Sequence, residues 1–492
     1  MLLILSFPKF GHPLVAWIAL VPLLVALDGA TGWRAARLGY VTGAVSAIGL
    51  LYWTAFVVFQ YGGGIPRVVA VLITLALCFA FAVFPLLFGW ATGRLAAAFG
   101  TRGLLGAPFL WVATELLRVH TFFQFPWCLL GYSQQPLAPV IQIASVTAVF
   151  GVSFVLVATS ALVAMAILDA RERRLWLIGL VTLQGAVWGV GAWMLARPLN
   201  ETGRITVGLV QGGIRQEDKW QPENAWSNVS RHLELTRDAA RRGARLVVWP
   251  ESAVPFLYDE EPELSALLQE LVRRDALYVY FGNDDREPPP HARIFVGAKL
   301  LAPDGEIAAR YRKMHLVPFG EYVPLKPLFT FGGRVAAKVV QEVADFTPGT
   351  EAVNVSVEGH RVGGYICYEA IFPALVRRFP ADGAELLVNI TNDAWYGTTS
   401  APYQHLAMAA FRAVENGRYM VRAANTGITA VVDPRGRILE QTKLFDRAVL
   451  VREVPFVAET TFYTRHGDVF AYACSAIALA ALGATLTRRQ PR

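Results

Sequence analysis

Charged side chains are scarce in this chain. Asp, Glu, Lys and Arg make up 17% of its 492 residues, against about 25% in an ordinary soluble protein. Intrinsic disorder, which needs low hydrophobicity and high net charge, is thereby excluded. Cysteine is scarce too: Cys78, Cys128, Cys367 and Cys474 are all there is. Three of them sit in strongly apolar surroundings and no CxxC pair occurs, so neither a zinc site nor a disulfide framework is indicated. No basic segment followed by a small-residue cleavage site opens the chain, which argues against a signal peptide. No internal repeat or low-complexity linker is visible. The formal charge of +7 is modest. Its placement matters more than its sum, and no nucleic-acid partner is expected.

What the chain has instead is apolar length. Apolar residues make up 54% and the mean hydropathy is +0.40, values that point away from a cytosolic globular protein and toward a membrane one. Runs able to cross about 30 Å of hydrocarbon are expected near Leu14–Leu27, Leu38–Phe59, Val68–Trp90, Leu104–Leu117, Val140–Leu168, Leu175–Leu195 and Val469–Leu486. Leu104–Leu117 is short and carries Glu115. Met1 to Phe7 is apolar but too short to cross, and reads as the tail of a helix whose beginning is absent. Alternating the spans puts Arg34, Arg37, Arg94, Arg102, Arg171, Arg173, Arg174, Arg488, Arg489 and Arg492 on one side. Only Lys9, Arg67 and Arg118 fall in the short loops opposite. Basic loops stay in the cytoplasm, so the long polar stretch between the last two spans is expected outside. The division is 1–199 for the first helices, 200–466 for the outer domain, and 467–492 for a final helix with its basic tail.

From Arg204 the pattern changes to alternating strands and helices. Strands are predicted at Ile205–Gln211, Ala244–Trp249, Leu277–Gly282, Arg361–Ile366 and Glu385–Ile390, and helices at Asn224–Arg241, Glu263–Arg274 and Gln404–Asn416. Arg293–Leu301 and Ile307–Arg312 read as a hairpin around Pro303-Asp304-Gly305, and a closing hairpin turns at Pro434-Arg435-Gly436. The mixture implies one layered α/β domain.

Three segments place a reactive side chain where an apolar strand stops, the usual location of sites in α/β folds. Glu251 follows Val247-Val248-Trp249-Pro250; Lys313 follows Tyr311-Arg312; Cys367 follows Gly363-Gly364-Tyr365-Ile366. Singly, each has a bland explanation: a strand-end cap or surface ion pair, a solvated lysine, a small buried hydrophobe. Jointly they are the minimum set for acyl transfer through a thioester. A thiol attacks as thiolate, a cation lowers its pKa, and a carboxylate takes its proton.

The order Glu…Lys…Cys, within WPES, RKMHLVPFGEYVP, ICYE and NDAWYG, resembles the nitrilase (carbon–nitrogen hydrolase) superfamily. With the flanking helices, the chain is similar to the apolipoprotein N-acyltransferase family over nearly its whole length. The resemblance implies a multi-span α-helical membrane bundle carrying an αββα sandwich on the outer face of a bacterial inner membrane. It implies Cys367 as nucleophile, Glu251 as general base and Lys313 as the cation on the tetrahedral oxyanion, helped by the Tyr368 backbone N–H. Glu321 and Glu369 match supporting glutamates. Trp220, Trp395 and Phe319 are expected to meet the lipid or the incoming protein, with plain core packing the alternative for the tryptophans. The implied reaction is ping-pong: a phospholipid acylates Cys367, and the α-amine of a diacylglyceryl-cysteine apolipoprotein takes the acyl group. No cofactor is implied, since the lipid brings the acyl group.

Two features depart from the family. Only Met1–Leu5 remains of a first helix, and the segment His291-Ala292-Arg293-Ile294-Phe295 lacks an asparagine that members often carry. Amide or nitrile hydrolysis by a membrane-tethered relative is the nearest alternative reaction. A transporter is disfavoured because its spans would carry ionisable residues, whereas here Glu115 is the main one.

Overall fold

A computed structural model describes residues 1–121, 124–324 and 345–487; Arg488, Arg489 and Arg492 of the expected basic tail lie outside the described residues. Among the described residues, four helical stretches are long and apolar enough to cross a membrane: Arg67–His120, Ala144–Leu168, Arg173–Ala196 and Val469–Thr487. A bent pair, Gly32–Leu51 and Trp53–Tyr61, makes a fifth if counted as one span. Pro13–Leu27 is apolar but shorter.

The expected spans Val68–Trp90 and Leu104–Leu117 both belong to the 54-residue stretch Arg67–His120. That stretch is interrupted at Gly100–Gly106, a 3-10 segment entered through a left-handed Gly100 (φ 65). There the chain folds back: a Cβ on Gly103 would sit 2.3 Å from the Leu95 carbonyl oxygen. The expected span Leu38–Phe59 bends by 52° at Tyr52. Its second arm leans on the outer domain, where the Ser400 N–H donates to the Tyr52 hydroxyl at 3.0 Å. Ala144–Leu168 is the most buried of the crossing helices and touches most of the others.

The outer domain is built from two six-stranded sheets. The first runs, edge to edge, Ala448–Val457, Glu201–Gln211, Leu246–Val248, Tyr278–Gly282, Gly297–Leu301 and Ile307–Arg312. The second runs Ile438–Gln441, Ala430–Val432, Tyr419–Ala424, Leu386–Thr391, His360–Ile366 and Asn354–Val357. The central strands of each are parallel and the edges antiparallel. Their inner faces share one core, including Val207, Leu209, Val248, Tyr365, Leu386 and Val388. Ala225–Arg241 and Pro262–Asp275 cover the first sheet with Val229, Leu233, Leu268 and Leu271. Ala401–Asn416 covers the second. Its Ala409, Ala410 and Ala413 meet the sheet while Met408, Phe411 and Val414 join the core of the membrane helices. The expected αββα order is present, with one helical layer shared with the bundle.

The predicted strands and helices lie close to the observed ones with one exception, and several observed strands, Asn354–Val357 and Tyr419–Ala424 among them, are not predicted by the sequence pattern. The expected Arg293–Leu301 strand is split into Ile294–Phe295, which pairs with Asp285–Arg286, and Gly297–Leu301. The ten-residue edge strand Ala448–Val457 has no counterpart in the sequence reading; it pairs antiparallel with Glu201–Gln211 over nearly its whole length.

Candidate active site

The parallel strands Leu246–Val248, His360–Ile366 and Leu386–Thr391 release their chains at one end of the sandwich. Ile307–Arg312 delivers Lys313 to the same place. Lys313 is fully buried, and its Nζ donates to Glu251 Oε1 at 3.0 Å and to Glu321 Oε1 at 2.5 Å. The other oxygen of each carboxylate is also held. Glu251 Oε2 accepts from the Asn392 N–H at 2.9 Å, and Glu321 Oε2 from the Val317 N–H at 2.8 Å. Burial opposes the Lys313 charge, but Glu251 and then Glu321 outweigh it and hold the ammonium well above its ordinary pKa. Lys313 is therefore a permanent cation. Burial in turn pushes Glu321 upward, against the pull of Lys313.

Cys367 starts a short 3-10 helix, Cys367–Ile371, directly after the strand. Its backbone is left-handed, at φ 48, and so are Ser252 beside Glu251 (φ 46) and Phe319 beside Glu321 (φ 61). Three non-glycine residues in this region around one site are the kind of strain that functional loops store. The Thr391 hydroxyl donates to Asp393 Oδ1 at 3.0 Å, and the thiol lies within electrostatic reach of Glu251, Lys313 and Asp393. Burial, and then the Glu251 charge, pushes it far above the usual thiol range, with Lys313 pulling back. At rest this is a neutral thiol, which could attack only if a base took its proton, and Glu251 is the carboxylate beside it. The Tyr368 N–H belongs to the first turn of the helix, where N–H groups have no intrahelical acceptor. His315 does not compete as a base: burial and then Lys313 push it down to about 4.

Glu369 joins the Cys367 segment to the Lys313 segment. Its Oε2 accepts from the Ile366 N–H at 2.7 Å, and its Oε1 accepts from the Met314 N–H at 2.7 Å and the His315 N–H at 3.2 Å. The Tyr311 hydroxyl lies 2.7 and 2.8 Å from the two oxygens. In Glu369→Gln an NH₂ must face one of these donors. Leaving a buried donor unpaired costs about 1–3 kcal/mol. We expect a lower unfolding temperature and slower acylation of Cys367, read by thermal unfolding in detergent and by the rate of acyl-enzyme formation. Unchanged values would mean that Glu369 does not hold the two segments together.

Trp220 and Phe319 are about half exposed, and Trp395 is more than a third exposed. Trp220 lines a cavity beside the site. Trp395 is elsewhere, its ring edge-on to Tyr61 of the bent helical pair at 4.8 Å. Several residues that no motif reading singled out complete the site. Lys219 Nζ donates to the Glu251 carbonyl at 3.0 Å. Behind Cys367, His405 Nε2 lies 3.1 Å from the Cys367 carbonyl oxygen and His405 Nδ1 lies 2.9 Å from Asp393 Oδ1. Arg422 donates to Asp393 Oδ2 at 2.8 Å. Burial notwithstanding, Arg422 and His405 hold the Asp393 carboxyl well below the usual range. Asp393 is visible within NDAWYG, but nothing in the spacing ties it to His405 or Arg422.

The bundle reaches this end of the domain directly. Phe125 stacks on Tyr368 at 6.4 Å, Trp127 meets His405 at 5.6 Å, and Trp53 packs edge-on to Tyr396 at 5.1 Å.

Residues 206–461 match the carbon-nitrogen hydrolase family, and residues 1–162 match the apolipoprotein N-acyltransferase N-terminal domain. Among curated relatives, an apolipoprotein N-acyltransferase of Geobacter metallireducens is 40% identical over 99% of this chain and 94% of its own. One of Nitrosomonas europaea is 34% identical over 96% of this chain and 93% of its own. Among solved structures, an amidase from Nesterenkonia sp. AN1 is 22% identical with a TM-score of 0.40, covering 55% of this chain and 98% of that one.

Proposed function

Because the chain belongs to the apolipoprotein N-acyltransferase family, we propose that it moves an acyl chain from a membrane phospholipid to the α-amine of a lipoprotein's N-terminal diacylglyceryl-cysteine, in two half-reactions through a thioester on Cys367. The observation that carries this reading is the Lys313 ammonium clamped between Glu251 and Glu321 beside a buried thiol, on loops that rest against the membrane helices.

In the first half, Glu251 takes the proton of Cys367 as the sulfur attacks the phospholipid ester carbonyl. Lys313 and the Tyr368 N–H stabilise the oxyanion; such preorganised charge is worth about 10²–10³-fold per donor. Collapse expels the lysophospholipid, which takes the proton back from Glu251. In the second half the amine attacks the thioester, the C–N bond forms, and the thiolate leaves and is reprotonated.

Contact between bundle and site supports bilayer-anchored substrates. A water-exposed site would have to extract each chain at about 0.8 kcal/mol per CH₂. Orientation with the catalytic domain outside the inner membrane is supported by how the helix ends sort. Arg94 bonds Thr485 and Arg102 pairs with Glu172 at one set of ends. Tyr52, Tyr61 and Arg118, at the other set, meet Ser400, Ala394 and the Phe125–Trp127 loop that carries the site contacts.

Intact mass of the purified enzyme with phospholipid, before and after a diacylglyceryl-cysteine peptide, tests the reading. The expected result is a hydroxylamine-sensitive acyl adduct that moves to the peptide amine. An adduct cleared by water, with the peptide unmodified, would instead make the enzyme a hydrolase.

A further inference from the structure

Proton accounting exposes a gap in the second half-reaction. At neutral pH an α-amine arrives as an ammonium, with a pKa of about 8. Turning it into an amide nitrogen removes two protons. One returns to the Cys367 sulfur by way of Glu251. The other must leave, and Glu251, fixed between Lys313 and the Asn392 N–H, is committed to the sulfur.

Beside Glu251 lies a cavity of about 280 Å³. Its walls include Trp220, Phe256, Ile294 and Phe346. Two of these walls are tied to Glu251 and Glu321. Trp220 follows Lys219, which bonds the Glu251 carbonyl; the Phe346 N–H donates to the Glu321 carbonyl. Gly282, two residues before Asp284, runs so close behind the base that a Cβ there would sit 2.7 Å from Glu251 Cα. The half-exposed Trp220 and the exposed Arg286 leave the cavity open to water.

Asp284 also lines this cavity. Its carboxylate makes no hydrogen bond or ion pair among the described residues; only its backbone oxygen is engaged, by Lys299. The contrast with its neighbour is sharp. Asp285 pairs with Lys299 at 3.6 Å, Arg310 at 3.4 Å and Arg312 at 2.7 Å. Asp284 is half-buried, and with no cation bonded to it among the described residues the carboxylate is available to a cationic group that enters the cavity.

We propose that this cavity receives the amino terminus of the acceptor lipoprotein, and that Asp284 binds its α-ammonium and removes the first proton. The inference rests on the N-acyltransferase reading and deepens it. Asp284 takes one proton from the ammonium and passes it to water at the cavity mouth. The neutral amine attacks the thioester carbon, the C–N bond forms, and the C–S bond breaks. The second amine proton travels through Glu251 to the sulfur. Burial first, with Glu251 and Glu321 adding and Lys219 and Lys299 opposing, raises Asp284 to about 6. It is therefore ionised at neutral pH and more basic than an ordinary aspartate. Arg286 and Asp345 complete the charged groups lining the cavity.

The test uses full-length Asp284→Asn in detergent micelles with equimolar phosphatidylethanolamine and phosphatidylglycerol, and a diacylglyceryl-cysteine peptide. Acyl-enzyme is expected to form at the wild-type rate, while discharge onto the peptide slows at least about tenfold, the value of a lost charge-assisted hydrogen bond. Wild-type discharge is expected to rise through about pH 6, whereas the variant should follow the peptide amine, near pH 8. Hydroxylamine, uncharged at neutral pH, should clear both enzymes equally. Equal discharge onto the peptide by both enzymes would overturn the assignment, as would parallel loss of acylation and hydroxylamine clearance. A wild-type enzyme that never acylates, or whose adduct only water removes, would sink the N-acyltransferase reading itself.

Discussion

Cys367→Ala is expected to give a folded protein that never carries an acyl mass and makes no N-acylated peptide, with turnover lower by on the order of 10⁴-fold or more. The reasoning is local. The thiol lies beside Glu251 and Lys313, and the loops around it would still be held by the Glu369 carboxylate and by His405 on the Cys367 carbonyl. Removing one small buried side chain costs about 1 kcal/mol, so the unfolding temperature should move little. Intact mass, with unfolding monitored on the same sample, separates the two effects. Residual acylation in this variant that hydroxylamine removes would place the thioester on another cysteine and end the assignment of Cys367.

Lys313→Met is expected to be as damaging to stability as to rate. The ammonium lies 3.0 Å from Glu251 and 2.5 Å from Glu321, so its loss leaves two buried carboxylates facing each other. Breaking a buried pair in this way costs about 3–5 kcal/mol, and the lost oxyanion partner about 10²–10³-fold in acylation. The pH dependence has a defined sign. A carboxyl whose folded-state pKa is raised, as Glu321 already is, contributes stability below its unfolded pKa and loses it as pH rises through the folded one. The deficit of Lys313→Met should therefore be smaller at about pH 5 than at about pH 8. Thermal unfolding at both values, beside acylation kinetics, reads it. A deficit that does not change with pH would mean that Lys313 does not hold the two carboxylates apart.

Much of this organisation is legible along the chain because it follows local rules. Helices that cross a bilayer must be long and apolar, so the run Val140–Leu168 announces itself, and the helix Ala144–Leu168 lies within it. Parallel strands buried on both faces are apolar and stop abruptly, so Glu251 and Cys367 stand out where Val248 and Ile366 end. What stayed hidden depends on neighbours far apart in sequence. His405, Arg412 and Glu415 are polar residues on a sixteen-residue helix that is buried on nearly every side, and no periodicity predicts that. The helix is covered because the sheet takes one face and the membrane helices take the other.

Composition and the strand-end motifs alone determined that the chain enters a membrane, that its outer part is layered α/β, and that Glu251, Lys313 and Cys367 form one chemical set, because apolar length and abrupt strand ends are written in consecutive residues. The clamp of Glu321 on Lys313, the bonds from Glu369 across two segments, the group behind Cys367 and the unpartnered Asp284 were decided only by the tertiary structure. Each is a meeting of side chains from separate strands and loops, and the packing of the two sheets against each other and against the bundle sets those distances.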